Sequence, residues 1–393
     1  MKKLLLITIV ALSFNAKAQW VNQTSSTTNG LNGVYFVDAD TGYAVADHFL
    51  NPTIIKTIDG GANWTTLYNS AYTASGVFFL TPSVGYVACN FGTILKTTNS
   101  GASWTGLAIG SMAYRSVFMT GTNNGCAVGG DGAGNGSILR TTDGTNFTAS
   151  VTAPFLTDLN CVHFPTANRG YIAGNSGTIL KSINGGATWT TSPAGVTTPF
   201  FGIYFTDSIT GYAVGAGIYK TVNGGTSWTP QVSPTSVALY SVFFINSTTG
   251  YICGHGGVVL KTINGGGTWT TEISNTTLDL HCIHFPTACI GYSVGTGSVI
   301  IKHTCSTTSI NENNTNSFEL YPNPTTSQTT INFAVEQTNT TIRITDVLGK
   351  EIKTINFTGR QLTIEKGELK AGIYFIQTTD ENKNVTNKKI IIE

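Results

Sequence analysis

At 393 residues the chain is long enough for two or three domains, and a formal net charge of +1 gives nucleic acid or an anionic membrane surface no electrostatic reason to bind. Only 10% of residues are charged, against roughly 25% in an average globular protein, and 45 glycines stand among abundant Thr, Asn, Ser and aromatic residues. That is the profile of many short strands joined by tight turns.

The N-terminus reads as an export signal spanning residues 1–18. Lys2 and Lys3 form its basic end, Leu4 to Phe14 its apolar segment, and Ala16-Lys17-Ala18 its cleavage site. The apolar segment is too short to span a bilayer, which takes about 20 residues, and no other stretch approaches transmembrane length. No cysteine follows the cut to carry a lipid, so the mature chain is expected to begin at Gln19.

From there a unit of about 41 residues repeats, a period that points to a propeller or array. Glycine and an aromatic residue (cysteine once) recur at Gly42-Tyr43, Gly85-Tyr86, Gly125-Cys126, Gly170-Tyr171, Gly211-Tyr212, Gly250-Tyr251 and Gly291-Tyr292. Each pair is preceded by a strand such as GVYF (33–36) or CIHF (282–285). It is followed by a short strand, a turn, an ILK-like strand, a glycine-rich loop and a Trp-Thr strand. Four short strands per unit make a blade, and a ring of blades buries the faces that one sheet cannot cover alone.

The seventh unit stops at SVIIKHTC (298–305) without its loop or Trp strand, while QWVNQ (19–23) is a Trp strand without a unit. One end supplies what the other lacks. Residues 19–305 number 287, seven lengths of 41, which predicts a seven-bladed β-propeller closed by the N-terminal strand at Trp20. All six tryptophans then occupy one blade position, with Phe147 at the seventh.

Residues 306–317 are polar and aperiodic and read as a linker. In 318–393 charged residues become denser, and short alternating strands at 329–335, 341–347, 372–378 and 388–393 predict a second all-β domain, a small β-sandwich.

The glycine-rich loop resembles the Asp-box of bacterial neuraminidase repeats. Asp59 with Trp64, Asn99 with Trp104, Asn184 with Trp189, Asn223 with Trp228 and Asn264 with Trp269 match it, and Asp143 belongs to a copy one residue short. The whole 19–305 arrangement looks like the photosystem II assembly/stability factor type of propeller, a resemblance that carries the fold but no function. YPNP (321–324), ITDVLGKEI (344–352), LKAGIYFIQ (369–377) and the terminal KKIIIE resemble, in order and spacing, the sorting tail of the type IX secretion system of Bacteroidetes. That resemblance implies export across the outer membrane, with the secretion machinery as partner through 318–393. The product would be secreted or displayed on the cell surface by way of the periplasm.

The glycine-rich loop itself is expected to be structural. Its glycines supply the positive φ of a tight turn, its Asn or Asp bonds the turn's own backbone, and its Trp pins the outer strand against the sheet.

Sialidases carry the Asp-box, but their chemistry needs an arginine triad, a tyrosine nucleophile and an acid/base carboxylate. The propeller's three arginines are Arg115, Arg140 and Arg169. Arg140 fills a repeat position that is lysine in the other six blades, and Arg169 sits in a turn on the loop side, so no triad assembles. The propeller's acids are scattered in turns, with a single glutamate, Glu272. Cys161/His163 and Cys282/His284 fill repeat positions and read as packing rather than metal ligands, and GGDGAGNGS (129–137) has one Asp, too few for a calcium loop. No metal or cofactor is expected. Cys289 and Cys305 fall at one end of the seventh blade and are a candidate disulfide bracing the closure.

One blade position varies in chemistry: Asn32, Ser75, Arg115, Asn160, Phe201, Tyr240 and His281. It opens the innermost strand, at the rim opposite the glycine loops. Arg115, Phe201, Tyr240 and His281 are the candidate ligand-binding residues there, for a protein or glycan ligand; unconstrained drift of a rim position is the competing reading. The expectation is thus a non-enzymatic binding propeller on the cell surface or in the medium. A glycan-active enzyme, sialidase-like or another glycoside hydrolase, and a passive structural surface protein are the alternatives.

Overall fold

The structure, a computed structural model, describes residues 19–47, 53–69, 72–108, 110–149, 157–305, 318–347, 349–381 and 385–393. The predicted signal peptide (1–18) and linker (306–317) lie outside the described residues. The described residues form two units, 19–305 and 318–393.

The first unit contains seven four-stranded antiparallel sheets. Blades one to six each take four consecutive strands, opening with Gly30–Phe36, Ala74–Phe79, Ala113–Met119, Leu159–His163, Phe200–Phe205 and Leu239–Phe244. Each first strand packs on the first strand of the next blade, and that of blade seven, Leu280–His284, packs on that of blade one. The blades therefore form a closed ring, a seven-bladed β-propeller. Blade seven is completed as the sequence predicts: Gln19–Gln23 pairs antiparallel with Ile300–Thr304, Trp20 opposite His303 and Gln23 opposite Ile300.

Burial follows from this geometry. Second strands such as Gly85–Cys89, Gly170–Gly174 and Gly250–Gly254 are buried at every residue, because both faces of their sheet are covered by neighbouring blades. Outer strands such as Thr190–Thr191 are exposed. Seven hydrophobic clusters alternate with the seven blades, and each joins one blade to the next.

The Asp-box loops turn between third and outer strands, as expected, but they fasten more than their own blade. In the copy at Thr262, Gly265 and Gly266 have φ of 64° and 80°, left-handed values that glycine adopts without strain. The Thr262 hydroxyl accepts from Gly266 N at 2.9 Å, and Asn264 Oδ1 accepts from Thr268 N at 2.9 Å. The Gly265 carbonyl then accepts from Tyr212 Oη at 2.8 Å and Lys220 Nζ at 2.6 Å, both on the preceding blade. The same grip joins Tyr43 and Lys56 to Ser100 O, Tyr86 and Lys96 to Gly144 O, and Tyr292 and Lys302 to Gly60 O. Trp269 likewise lies between blades, edge-on to Tyr212 of blade five and to Phe244 of its own blade. Its indole ring thus packs on its own sheet at Phe244 and also reaches across the interface to the preceding blade's buried tyrosine.

Blade seven has no such loop to offer blade six. At that interface Glu272 takes its place, accepting from Trp20 Nε1 at 2.9 Å and pairing with Lys261 Nζ at 3.3 Å. Cys289 and Cys305 are joined by a disulfide, with Cα atoms 4.8 Å apart.

The second unit is a five-stranded sheet folded over one core. Its long strand Gln328–Asp346 pairs with Phe318–Tyr321 in its first half and Gly372–Thr379 in its second, and Glu351–Glu365 runs along both. The sequence reading divided the long strand in two and missed Glu351–Glu365. Register shifts around Gln337 explain the division, and the mostly exposed side chains of 351–365 leave little apolar periodicity to detect. Val385–Ile392 pairs beside Gly372–Thr379, and a parallel bridge from Thr325 to Ile392 closes the sandwich-like fold.

Candidate functional site

In every blade the pairing of first and second strands slips by one residue near the start of the first strand. The residues skipped are Asn32, Ser75, Arg115, Asn160, Phe201, Tyr240 and His281. A β-bulge turns its extra residue out of the alternation, and here all seven line one cavity of about 200 Å³ at the mouth of the ring. Each is half-buried. The structure thus brings Arg115, Phe201, Tyr240 and His281 together around one opening. The glycine-rich loops lie at the other end, where Gly60 N bonds the Asp40 carbonyl in the turn after the first strand.

Below the bulge the cavity wall is small by necessity. A Cβ added at Gly76 would stand 2.6 Å from the Arg115 carbonyl of the next blade. Where the residue is larger it is Ser or Cys: Ser116 and Ser241 accept backbone N–H groups from the next blade, and the Cys161 and Cys282 thiols face backbone carbonyls. Burial pushes the Cys161 thiol up to about 11, away from the reactive thiolate.

Further along the first strands, each blade contributes one side chain to a circle of aromatic rings: Tyr35, Phe78, Phe118, His163, Tyr204, Phe243 and His284. Neighbouring centroids stand 4.5 to 5.4 Å apart all the way round. His163 and His284 belong to this circle. Desolvation lowers each to about 3, so both are neutral, and each Nδ1 accepts a backbone N–H, from Phe205 and Phe36 respectively, at 3.3 Å. Among the described residues no group of three or more His, Cys, Asp or Glu could hold a metal ion.

The mouth has two sides. Phe201, Tyr240 and His281 make an aromatic arc, centroids 5.5 and 5.7 Å apart and planes crossed at 70° and 74°. Opposite them, Arg115 bonds Asp158 Oδ2 at 3.2 Å and Asn160 Oδ1 at 2.9 Å. Its charge is therefore matched by a buried carboxylate and is not free, as a reading of the rim residues alone would make it. His281 bonds the Leu31 carbonyl and Thr296, and Asn32 donates to the Ala74 carbonyl.

Sequence reasoning missed Asp158 and Asp279. Each lies two residues before a rim position, in the repeated pair Asp158-Leu159 and Asp279-Leu280, and that repetition was the available signal. Asp279 accepts from Gly256 N at 2.8 Å and pairs with His255 at 2.9 Å; the backbone bond foremost lowers its carboxyl below the usual range. Most other propeller carboxylates hold turns: Asp38 and Asp207 cap first turns, Asp59 and Asp143 hold their boxes, and Asp131 bonds Ala133 and Asn135 within its own loop.

Comparisons with known proteins agree with this architecture. Residues 319–393 match the family model of the secretion system C-terminal sorting domain. The chain is thus an exported protein that meets the type IX secretion machinery through these residues, and it reaches the cell surface or the medium. Among solved structures, YCF48 bound to D1 peptide matches at 19% identity and a TM-score of 0.61, covering 72% of this chain and 96% of that one. YCF48 from Cyanidioschyzon merolae matches at 19% and 0.61, covering 73% and 99%. Virginiamycin B lyase from Staphylococcus aureus matches at 13% and 0.61, covering 73% and 99%. Such likenesses establish the fold alone. Over 75 residues the chain is 40% identical to an endo-acting ulvan lyase of Formosa agariphila, which is 19% of this chain and 14% of that protein.

Proposed function

We propose that the exported propeller is a binding module that captures its ligand at the mouth of the ring and performs no chemistry of its own. The observation that carries this reading is the convergence on one cavity of seven bulged residues that vary more in chemistry than their neighbours in the repeat. A bulge is a costly local departure from pairing, and here seven of them present Asn32, Ser75, Arg115, Asn160, Phe201, Tyr240 and His281 to the same space.

The carboxylates beside the mouth favour binding over hydrolysis. A glycoside hydrolase needs one carboxyl held protonated and a second facing it. Asp279 is instead lowered, and Asp158 is committed to Arg115 and to Gly132 N.

Capture by the full exported chain tests the proposal. Phe201→Ala and Tyr240→Ala are expected to abolish retention of the ligand from the surrounding medium while leaving the melting transition in place. Retention equal to wild type would sink it.

The lyase match favours a second reading, a glycan-active enzyme. Its 75 residues equal the length of the 319–393 sorting domain and fall far short of the propeller. Incubating the full chain with ulvan and following the absorbance of unsaturated products tests that reading, which turnover would support.

A further inference from the structure

The mouth of the ring also restricts what can enter it. We propose that its ligand is the end of a glycan chain, specifically an uncharged terminal sugar residue; this rests on the binding reading above.

Shape comes first. The cavity opens at the mouth of the ring. A chain end needs room on one side only, so it is the part of a polymer that suits a small cavity. At about 200 Å³ it is smaller than the roughly 300–1,000 Å³ pockets that take drug-sized ligands. It suits one small ring and its substituents.

Chemistry narrows the class. Phe201 and Tyr240, with planes crossed at 70°, offer an aromatic face and an adjacent edge to the apolar face of a sugar ring. The Tyr240 and Ser75 hydroxyls and the Asn32 side-chain oxygen have no hydrogen-bond partner among the described residues, so neutral donors and acceptors remain for sugar hydroxyls. Charge argues against an acidic sugar. The Arg115 guanidinium is paired with Asp158, and the second carboxylate near the mouth, Asp279, accepts from Gly256 N and faces His255 and His281. A uronate or sulfate there would find no unpaired cation and would meet two carboxylates. A peptide end is disfavoured on the same ground when it is a carboxylate.

The test is a binding array probed with the full chain and with Tyr240→Ala. It carries linear neutral oligosaccharides, the same oligosaccharides with their non-reducing ends capped, uronate- and sulfate-bearing oligosaccharides, and a peptide library. The expected result is retention on neutral, uncapped oligosaccharides, weakened about tenfold or more by Tyr240→Ala and insensitive to salt. Retention only on acidic oligosaccharides or only on peptides, still lost in Tyr240→Ala, overturns the sugar-end inference and leaves the mouth as the binding site. Equal retention of capped and uncapped chains overturns the end-on geometry. Neutral-sugar binding that Tyr240→Ala and Phe201→Ala both leave unchanged overturns this inference and the binding site together. An array that retains nothing overturns the inference.

Discussion

The indole N–H of Trp20 donates to a Glu272 carboxylate oxygen at 2.9 Å, across 252 positions of sequence. At four other interfaces of the ring a loop carbonyl from the next blade accepts from a Tyr and a Lys. Here Lys261 pairs with the other Glu272 oxygen at 3.3 Å and lies over the Tyr251 ring. The propeller's single glutamate therefore stands where the repeat runs out of loops, and it supplies as a side chain what other blades supply as backbone.

Glu272→Ala should destabilise the ring by about 1–3 kcal/mol, the range for losing hydrogen bonds to a charged group. Chemical denaturation of the full chain measures this. In a double-mutant cycle, Trp20→Phe and Glu272→Ala should show a non-additive term of about 0.5–3 kcal/mol. Strict additivity would mean that the contact carries no energy.

The inter-blade latch predicts unequal costs at one site. Tyr212→Phe removes one of two donors to the Gly265 carbonyl and should cost about 0.5–1.5 kcal/mol. Gly266→Ala should cost more. It forces a side chain to φ of 80° and places a Cβ 2.9 Å from the Tyr212 ring, and the backbone term alone is about 1–2 kcal/mol. A smaller loss for Gly266→Ala than for Tyr212→Phe would contradict the placement of the loop against the preceding blade.

His163 and His284 make stability depend on pH in a defined window. Burial lowers both to about 3 in the folded state, while the unfolded chain protonates them near 6.5. Between those values the unfolded state binds protons that the folded state refuses, so stability falls as pH drops from about 6.5 towards 3 and is regained on raising it. Each imidazole contributes a slope of up to about 1.4 kcal/mol per pH unit. Replacing both by Phe, the residue at the equivalent Phe78, Phe118 and Phe243, should flatten the denaturation midpoint between pH 6.5 and 4. An unchanged slope would contradict the lowering of these two imidazoles in the folded state.

Reduction of the Cys289–Cys305 bridge should lower stability by up to about 3 kcal/mol, as for a closed loop of roughly 15 residues. Cys289→Ser with Cys305→Ser should reproduce the loss, and the double variant should then be indifferent to reductant. A wild-type mass that does not rise by two hydrogens on reduction would rule out the bridge.

The ring was legible because its period is written in residue types that the geometry forces. Small residues sit where first strands approach, tyrosine and lysine recur on adjacent strands, and tryptophan marks each outer strand but one. What could not be read was the direction of those repeats. Tyr212 and Lys220 are regular within blade five, but their partner is Gly265 of blade six, and a repeat pattern does not say whether a contact lies within a unit or between units. The bulge at Tyr240 is likewise invisible in the sequence, since the residue it displaces looks like one more step of a strand. The pairing of Arg115 with Asp158 joins blades three and four and follows from no periodicity. In the second unit, register shifts rather than turn residues set the bend, so Gln328–Asp346 was read as two strands.

The pairing of Gln19–Gln23 with Ile300–Thr304 also sets an order of events. A chain that emerges from its N-terminus presents first the strand whose hydrogen-bonding partner is made last. Blades one to six can pair from neighbouring residues as they appear, whereas Trp20 has nowhere to bury until His303 arrives. Until then the leading strand is an unpaired edge carrying a large apolar side chain, the kind of segment that finds other molecules when its own partner is late. Completion of the ring is therefore a check on the length of the chain itself, and a product cut short before residue 300 leaves that edge open.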